Sequence, residues 1–143
     1  PKEFIREFLP ASRTAAILRE IMELCPDKQF IFTVSPIRHF KDGAHGNQIS
    51  KASLLLGIEE ALAATPVDLS MNPHYTADYF PAYEIVMDEL RDYRFYAEDM
   101  CHPTQQTADY ICDRFLDWAL PADEQDTLKE NIRAFRHGCH IVK

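Results

Sequence analysis

Apolar residues recur along this chain with two periods. Ile17, Leu18, Ile21, Leu24 and Cys25 follow helical spacing. With Ser12 as N-cap and Pro26 as stop, they predict a helix over residues 12–24. Lys28-Gln29-Phe30-Ile31-Phe32-Thr33-Val34 is a nearly continuous β-rich run, the pattern of a buried strand, and Ser35-Pro36 ends it. A polar, glycine-containing loop follows over residues 35–48. Leu54, Leu55, Ile58 and Leu62 share one face of a second helix that runs to about residue 64, capped by Asn47 or Ser50. Residues 68–79 read as loop. Phe80-Pro81-Ala82-Tyr83-Glu84-Ile85-Val86 is a second strand candidate, although Pro81 lacks an N–H for a ladder. Residues 87–92 suggest a helical turn, and 93–103 are irregular. Thr104 caps a helix to about residue 120, with Ala108, Ile111, Cys112, Phe115 and Leu116 on one face. A final amphipathic helix over residues 122–137 turns Leu128, Ile132 and Phe135 inward, and Gly138 stops it.

Helix, strand, helix, strand, helix is the order of an α/β fold with a mostly parallel sheet. Ligands in such folds bind at the carboxyl ends of the strands. The loop after the first strand and the irregular segment after the second are expected to share that rim. The 143 residues suffice for a single domain spanning 1–143. Two strands are few for its sheet, so a larger sheet completed by other sequence is expected. The start at Pro1 rather than Met fits that expectation.

Composition narrows the function classes. Apolar residues at 46% and aromatics at 11% describe a globular chain. The net charge of −8 argues against nucleic acid or an anionic membrane as partner, because both need a basic face. No apolar run reaches the length of a membrane span, and no secretory signal is visible. Cys25, Cys101, Cys112 and Cys139 form no C-x-x-C pair, which argues against a zinc ribbon or thioredoxin motif. Reduced, mostly buried thiols and a cytoplasmic setting are favoured.

The chemistry concentrates in Asp99-Met100-Cys101-His102-Pro103. A carboxylate three residues before an imidazole can accept from one ring nitrogen and fix the tautomer, leaving the other nitrogen as a base. The alternative is a loop in which Asp99 only accepts backbone N–H groups. The nucleophile is missing from this arrangement. Ser35 ends the first strand, but Pro36 removes an N–H that could serve an oxyanion, and no Gly-x-Ser-x-Gly elbow surrounds it. Cys101 neighbours His102, yet adjacent loop residues point apart. Arg38 and His39 could line a cleft and bind a carboxylate, a phosphate or a sugar hydroxyl, or form a solvated loop. Glu84 on a strand needs a partner, for which Arg91 and Arg94 are candidates. His39, His45, Asp99 and His102 would be the members of a metal cluster, but no spacing ties them together. His74, His137 and His140 read as loop or tail residues. No cofactor is called for.

Several blocks resemble the GSCFA-domain family in order. They are Thr33-Val34-Ser35-Pro36-Ile37-Arg38-His39, then Asp42-Gly43, Asn47 and Ser50-Lys51-Ala52; Tyr79-Phe80-Pro81-Ala82-Tyr83-Glu84-Ile85; and Leu90-Arg91-Asp92-Tyr93-Arg94-Phe95-Tyr96 leading into Asp99-Met100-Cys101-His102-Pro103. That family looks like a branch of the SGNH hydrolases, and the resemblance implies a three-layer, SGNH/flavodoxin-like α/β domain. It also implies an ester hydrolase acting on acyl or acetyl esters, with carbohydrate esters as the class-level expectation. His102 would be the general base and Asp99 its orienter, with Arg38, His39 and Ser35 near substrate. The Gly-Ser-Cys-Phe-Ala block that would hold the nucleophilic serine is absent from the sequence. The chain is therefore expected to be the C-terminal portion of such a domain, inactive alone. The competing expectations are a non-catalytic interaction or assembly module, a homo-oligomer joined through sheet edges or the last helix, and a metal-dependent hydrolase.

Overall fold

The computed structural model describes residues 7–64 and 77–139. Residues 1–6, most of the expected loop at 68–79, His74 and His140 lie outside that range, as does the side chain of His137. The described chain is mixed but mostly helical, with one small parallel sheet of two strands. It divides into two compact units, Pro1–Pro103 and Thr104–Lys143.

In the first unit, α1 (Ala11–Leu24) leads to β1 (Phe30–Phe32) and α2 (Gly43–Ala63) to β2 (Ala77–Tyr79). The strands pair in parallel with Phe30 opposite Ala77 and Phe32 opposite Tyr79. Phe80 N–H extends the ladder to Phe32 O at 2.8 Å. Ala15 and Met22 of α1 meet Ala61 of α2 in a cluster joined by Leu18, Phe30, Phe32 and Ala77. Both helices thus share a core with one side of the sheet. Alternation leaves Ile31 and Asp78 exposed, so β1 is a half-buried strand rather than the fully buried one its apolar run suggested.

The second strand is the main correction. It lies at Ala77–Tyr79, and the apolar run 80–86 is not a strand. From Ala82 the chain turns into α3 (Ala82–Glu84) and continues as a π-helical stretch, Ile85–Leu90, closed by Arg91 N–H to Val86 O at 3.1 Å. Phe80, Ala82, Ile85 and Val86 are buried. A short apolar run buried on a helix reads like a buried strand, and Pro81 marks the change of course.

Helix starts differ as well. Pro10, not Ser12, stands at the N-cap of α1. α2 begins at Gly43, so neither Asn47 nor Ser50 caps it. Asn47 instead turns inward and accepts His39 N–H at 2.9 Å. In the second unit, Thr104 caps α4 (Gln105–Ala119) as expected, with its hydroxyl accepting Thr107 N–H at 3.2 Å. α5 (Ala122–Cys139) runs through Gly138 instead of stopping there. Ile132 and Phe135 are exposed rather than inward-facing. Cys25 and Cys112 are free and exposed, not buried, and Cys101 is free and half-buried. No described helix is long and apolar enough to cross a membrane.

α1 and α2 approach closely at Gly57. A Cβ there would lie 2.6 Å from Thr14 Cβ, 2.7 Å from Thr14 Cγ2 and 2.9 Å from Ala11 O. Alanine is the better helix former by about 1 kcal/mol. Even so, Gly57→Ala is expected to lower stability by about 1–3 kcal/mol, because the helices must separate to admit the methyl group. Urea unfolding measures this, and an unchanged or raised midpoint would contradict the close approach.

Candidate functional site

Parallel pairing puts the carboxyl ends of β1 and β2 on one rim. The segment after β1 has no regular structure, yet its backbone groups are held one by one. Ser35 O accepts from Lys51 Nζ at 2.5 Å, and Pro36 O accepts from Tyr96 Oη at 3.0 Å. Arg38 N–H donates to Cys101 O at 3.1 Å, while Cys101 Sγ donates to Arg38 O at 2.7 Å. Two of these donors come from beyond residue 95, so the segment following β1 is stitched to the Asp99–His102 loop.

That loop is a tight hairpin. Tyr96 and Pro103 form an antiparallel bridge, Ala97 N–H donates to His102 O at 2.8 Å, and Met100 N–H donates to Ala97 O at 2.8 Å. Met100 adopts φ 58°, the left-handed region, which is uncommon for a non-glycine residue. The turn lets the following N–H groups point back at Asp99. Asp99 Oδ1 accepts Cys101 N–H at 2.9 Å and His102 N–H at 3.0 Å. Its Oδ2 meets His102 Nδ1 at 2.6 Å.

The two oxygens of Asp99 therefore have separate tasks, one fixing the loop and the other the imidazole. The carboxylate holding Nδ1 directs the second nitrogen, Nε2, away from the pair, and among the described residues Nε2 meets no partner. The Asp99 pKa falls to about 2. The His102 backbone N–H is the largest cause, followed by the His102 imidazole and the Cys101 N–H. Both side chains are about half exposed, at 49% for Asp99 and 60% for His102. A partner molecule can therefore reach the imidazole directly.

Arg38 lies beside this loop, with Nη1 3.5 Å from Met100 O. Its guanidinium stands over Tyr93 at 5.4 Å, Tyr96 at 5.5 Å and Phe40 at 5.6 Å. Such cation–π contacts hold the ion by its faces and leave N–H edges available. His39 is exposed, and its backbone, not its ring, is the anchored part. Ser35 Oγ accepts Ile37 N–H at 3.2 Å, a turn-forming role. The Cys101 thiol is bound to Arg38 O and is used as a structural donor.

Glu84 finds its partner in Tyr79, not in Arg91 or Arg94. The Tyr79 hydroxyl lies 2.9 and 2.8 Å from the two carboxylate oxygens. Burial and then the adjacent Glu84 push the Tyr79 pKa well above its ordinary value. Arg94 pairs with Asp92, Nε to Oδ2 3.5 Å. Among the described residues no three His, Cys, Asp or Glu side chains gather as metal ligands, so His39, His45, Asp99 and His102 form no cluster.

Lys51 was not singled out as a working residue by sequence reasoning. It is 3% exposed, and burial lowers its pKa. Its ammonium sits 5.8 Å from the Tyr83 ring centroid while donating to Ser35 O. The available signal was its i+4 spacing from Asn47, which puts both polar residues on the face of α2 that meets the segment 35–39.

Asp99 is expected to titrate near pH 2 in a carbon-detected NMR experiment on its carboxyl group. Its folded pKa lies below the ordinary value of about 3.9, so the stabilisation it gives the loop is complete above about pH 5 and is lost as pH falls toward 2. In His102→Ala the midpoint should rise yet stay below the ordinary value, because both backbone N–H donors remain. A wild-type midpoint at the ordinary value would contradict this geometry.

No curated protein and no solved structure matches the chain. The GSCFA family profile matches residues 4–115, a span that holds both strands, Arg38 with its aromatic rings, and the Asp99–His102 pair. By that match over most of its length, the chain belongs to the GSCFA family.

Proposed function

We propose that this chain carries the acid–base half of an SGNH-type serine esterase site. In this reading the two-stranded unit is part of a larger three-layer α/β domain, and the chain is its C-terminal portion. A serine from outside the described residues presents its hydroxyl to His102 Nε2. His102 takes the proton as the serine attacks the ester carbonyl, then returns it to the departing alcohol. Asp99 keeps the imidazole in the required tautomer and stabilises the imidazolium. The substrates are acyl or acetyl esters, with carbohydrate esters as the class in view.

One observation carries the reading: the 2.6 Å contact between His102 Nδ1 and an Asp99 carboxylate that two backbone N–H groups already hold in place. A carboxylate used only to close a loop needs no imidazole. A solvent-facing Nε2 behind such a pair is what a general base requires. A second reading, a non-catalytic assembly module, is favoured by the sheet: among the described residues β1 and β2 pair only with each other, leaving their outer edges for another chain.

Turnover of short acyl esters by the longer protein that contains this domain separates the two. His102→Ala should lower kcat/KM by about 10³-fold or more. Asp99→Asn keeps an oxygen for the backbone N–H groups but loses the tautomer, so it should cost about 10²–10⁴-fold with the fold intact. Equal turnover by wild type and His102→Ala would remove His102 from the chemistry and leave the assembly reading.

A further inference from the structure

The geometry points to an oxyanion-binding subsite between Arg38 and Arg91, beside the Asp99–His102 loop, that takes a carboxylate or phosphate group of the substrate. The two arginines share a cavity of about 190 Å³. That is space for about six waters, or one sugar ring or short acid. Val86 and Met87 supply an apolar side, and Tyr93 and Tyr96 an aromatic one. This is the mixture of apolar wall and few polar groups typical of a small-molecule pocket.

The charges argue for an anion. The chain carries a net −8, and its acidic residues outnumber the basic ones, 23 to 15. Yet among the described residues neither Arg38 nor Arg91 is paired with a carboxylate. Asp92 also lines the cavity, but its carboxylate is engaged by Arg94 through both the backbone N–H at 2.9 Å and Nε at 3.5 Å. The cavity is therefore bordered by two arginines that have no carboxylate partner among the described residues, and by one acid already paired with Arg94.

The local backbone is built to the same end. Arg38 is held by the three aromatic faces, so its planar N–H fork arrives already ordered. Arg91 sits at φ 45°, in the left-handed region, where the π-helical stretch ends. Both residues border the cavity, and Arg38 also reaches Met100 O in the dyad loop. As a substrate subsite this rests on the esterase reading; as an oxyanion site it does not.

Titration of the full-length protein with glucuronate, inorganic phosphate and glucose, followed by NMR, tests it. Glucuronate or phosphate should bind and glucose should not; the tighter oxyanion names the substrate group. Asn tolerates the left-handed backbone better than most residues, so Arg91→Asn removes the charge without refolding the turn, and should weaken oxyanion binding about tenfold or more. Arg38→Lys keeps the charge but loses the fork, and should weaken it as well. His102→Ala should bind as tightly as wild type even where turnover is lost, which separates this site from the fate of the esterase reading. Glucose binding as well as glucuronate, no oxyanion binding, or Arg91→Asn binding like wild type would each overturn the subsite.

Discussion

The site depends on one constraint: the segment at residues 35–39 has no helix or strand to satisfy its backbone, so other parts of the chain must do it. Buried or half-buried N–H and C=O groups rarely stay unpaired. Here Lys51 takes Ser35 O, Tyr96 takes Pro36 O, Cys101 takes both the N–H and the C=O of Arg38, and Asn47 takes His39 N–H. Two of these partners, Lys51 and Asn47, belong to α2, and the others, Tyr96 and Cys101, to the segment that ends in the dyad. The segment after β1 is thus a bracket between a helix and a hairpin. Holding Arg38 by its backbone fixes where its guanidinium enters the aromatic cluster. Holding Cys101 fixes the residue just before the catalytic candidate.

What was legible in the sequence follows from the range of each interaction. The Asp99–His102 pair is local, with both partners in one turn, and the Asp-x-x-His spacing announced it. Thr104 as a cap and the amphipathic helices are equally local. The second strand was misplaced because three-residue strands carry little signal of their own. Ala77–Tyr79 pairs because β1 is there to receive it, and that is a tertiary fact. The run 80–86 is apolar because it is buried, not because it is extended. Two of the three aromatic faces on Arg38 come from Tyr93 and Tyr96, more than fifty positions away. No period in the sequence connects them. The spacing of Lys51 from Asn47 hinted at a shared face, but its acceptor is a loop carbonyl that only the folded rim brings into reach.

The two expectations for Asp99, loop closure and histidine orientation, turn out not to compete. A carboxylate has two oxygens and room for several donors. Oδ1 closes the turn and Oδ2 takes the imidazole. The first task makes the second more exact, since a carboxylate fixed by two backbone N–H groups cannot swing away from the ring. Met100 in the left-handed region is the conformational cost of this arrangement, of order 1 kcal/mol or more for a non-glycine residue. Such a cost at a surface turn makes sense when the geometry it creates has a use.

That geometry also decides between nucleophile candidates close at hand. Ser35 stands at the right kind of position, after a strand on the correct rim. But its hydroxyl accepts the Ile37 N–H, and its carbonyl is clamped by a buried ammonium. Cys101 is next to the base in sequence, but its thiol is directed at Arg38 O, in the opposite role of a structural donor. Freeing either group would undo part of the bracket that positions Arg38 and the hairpin. The loop uses both nearby nucleophiles as scaffolding and leaves Nε2 of His102 facing solvent. In the esterase reading, the hydroxyl that reaches this nitrogen comes from a different segment, the arrangement expected when the base and the nucleophile of one site lie far apart along a chain.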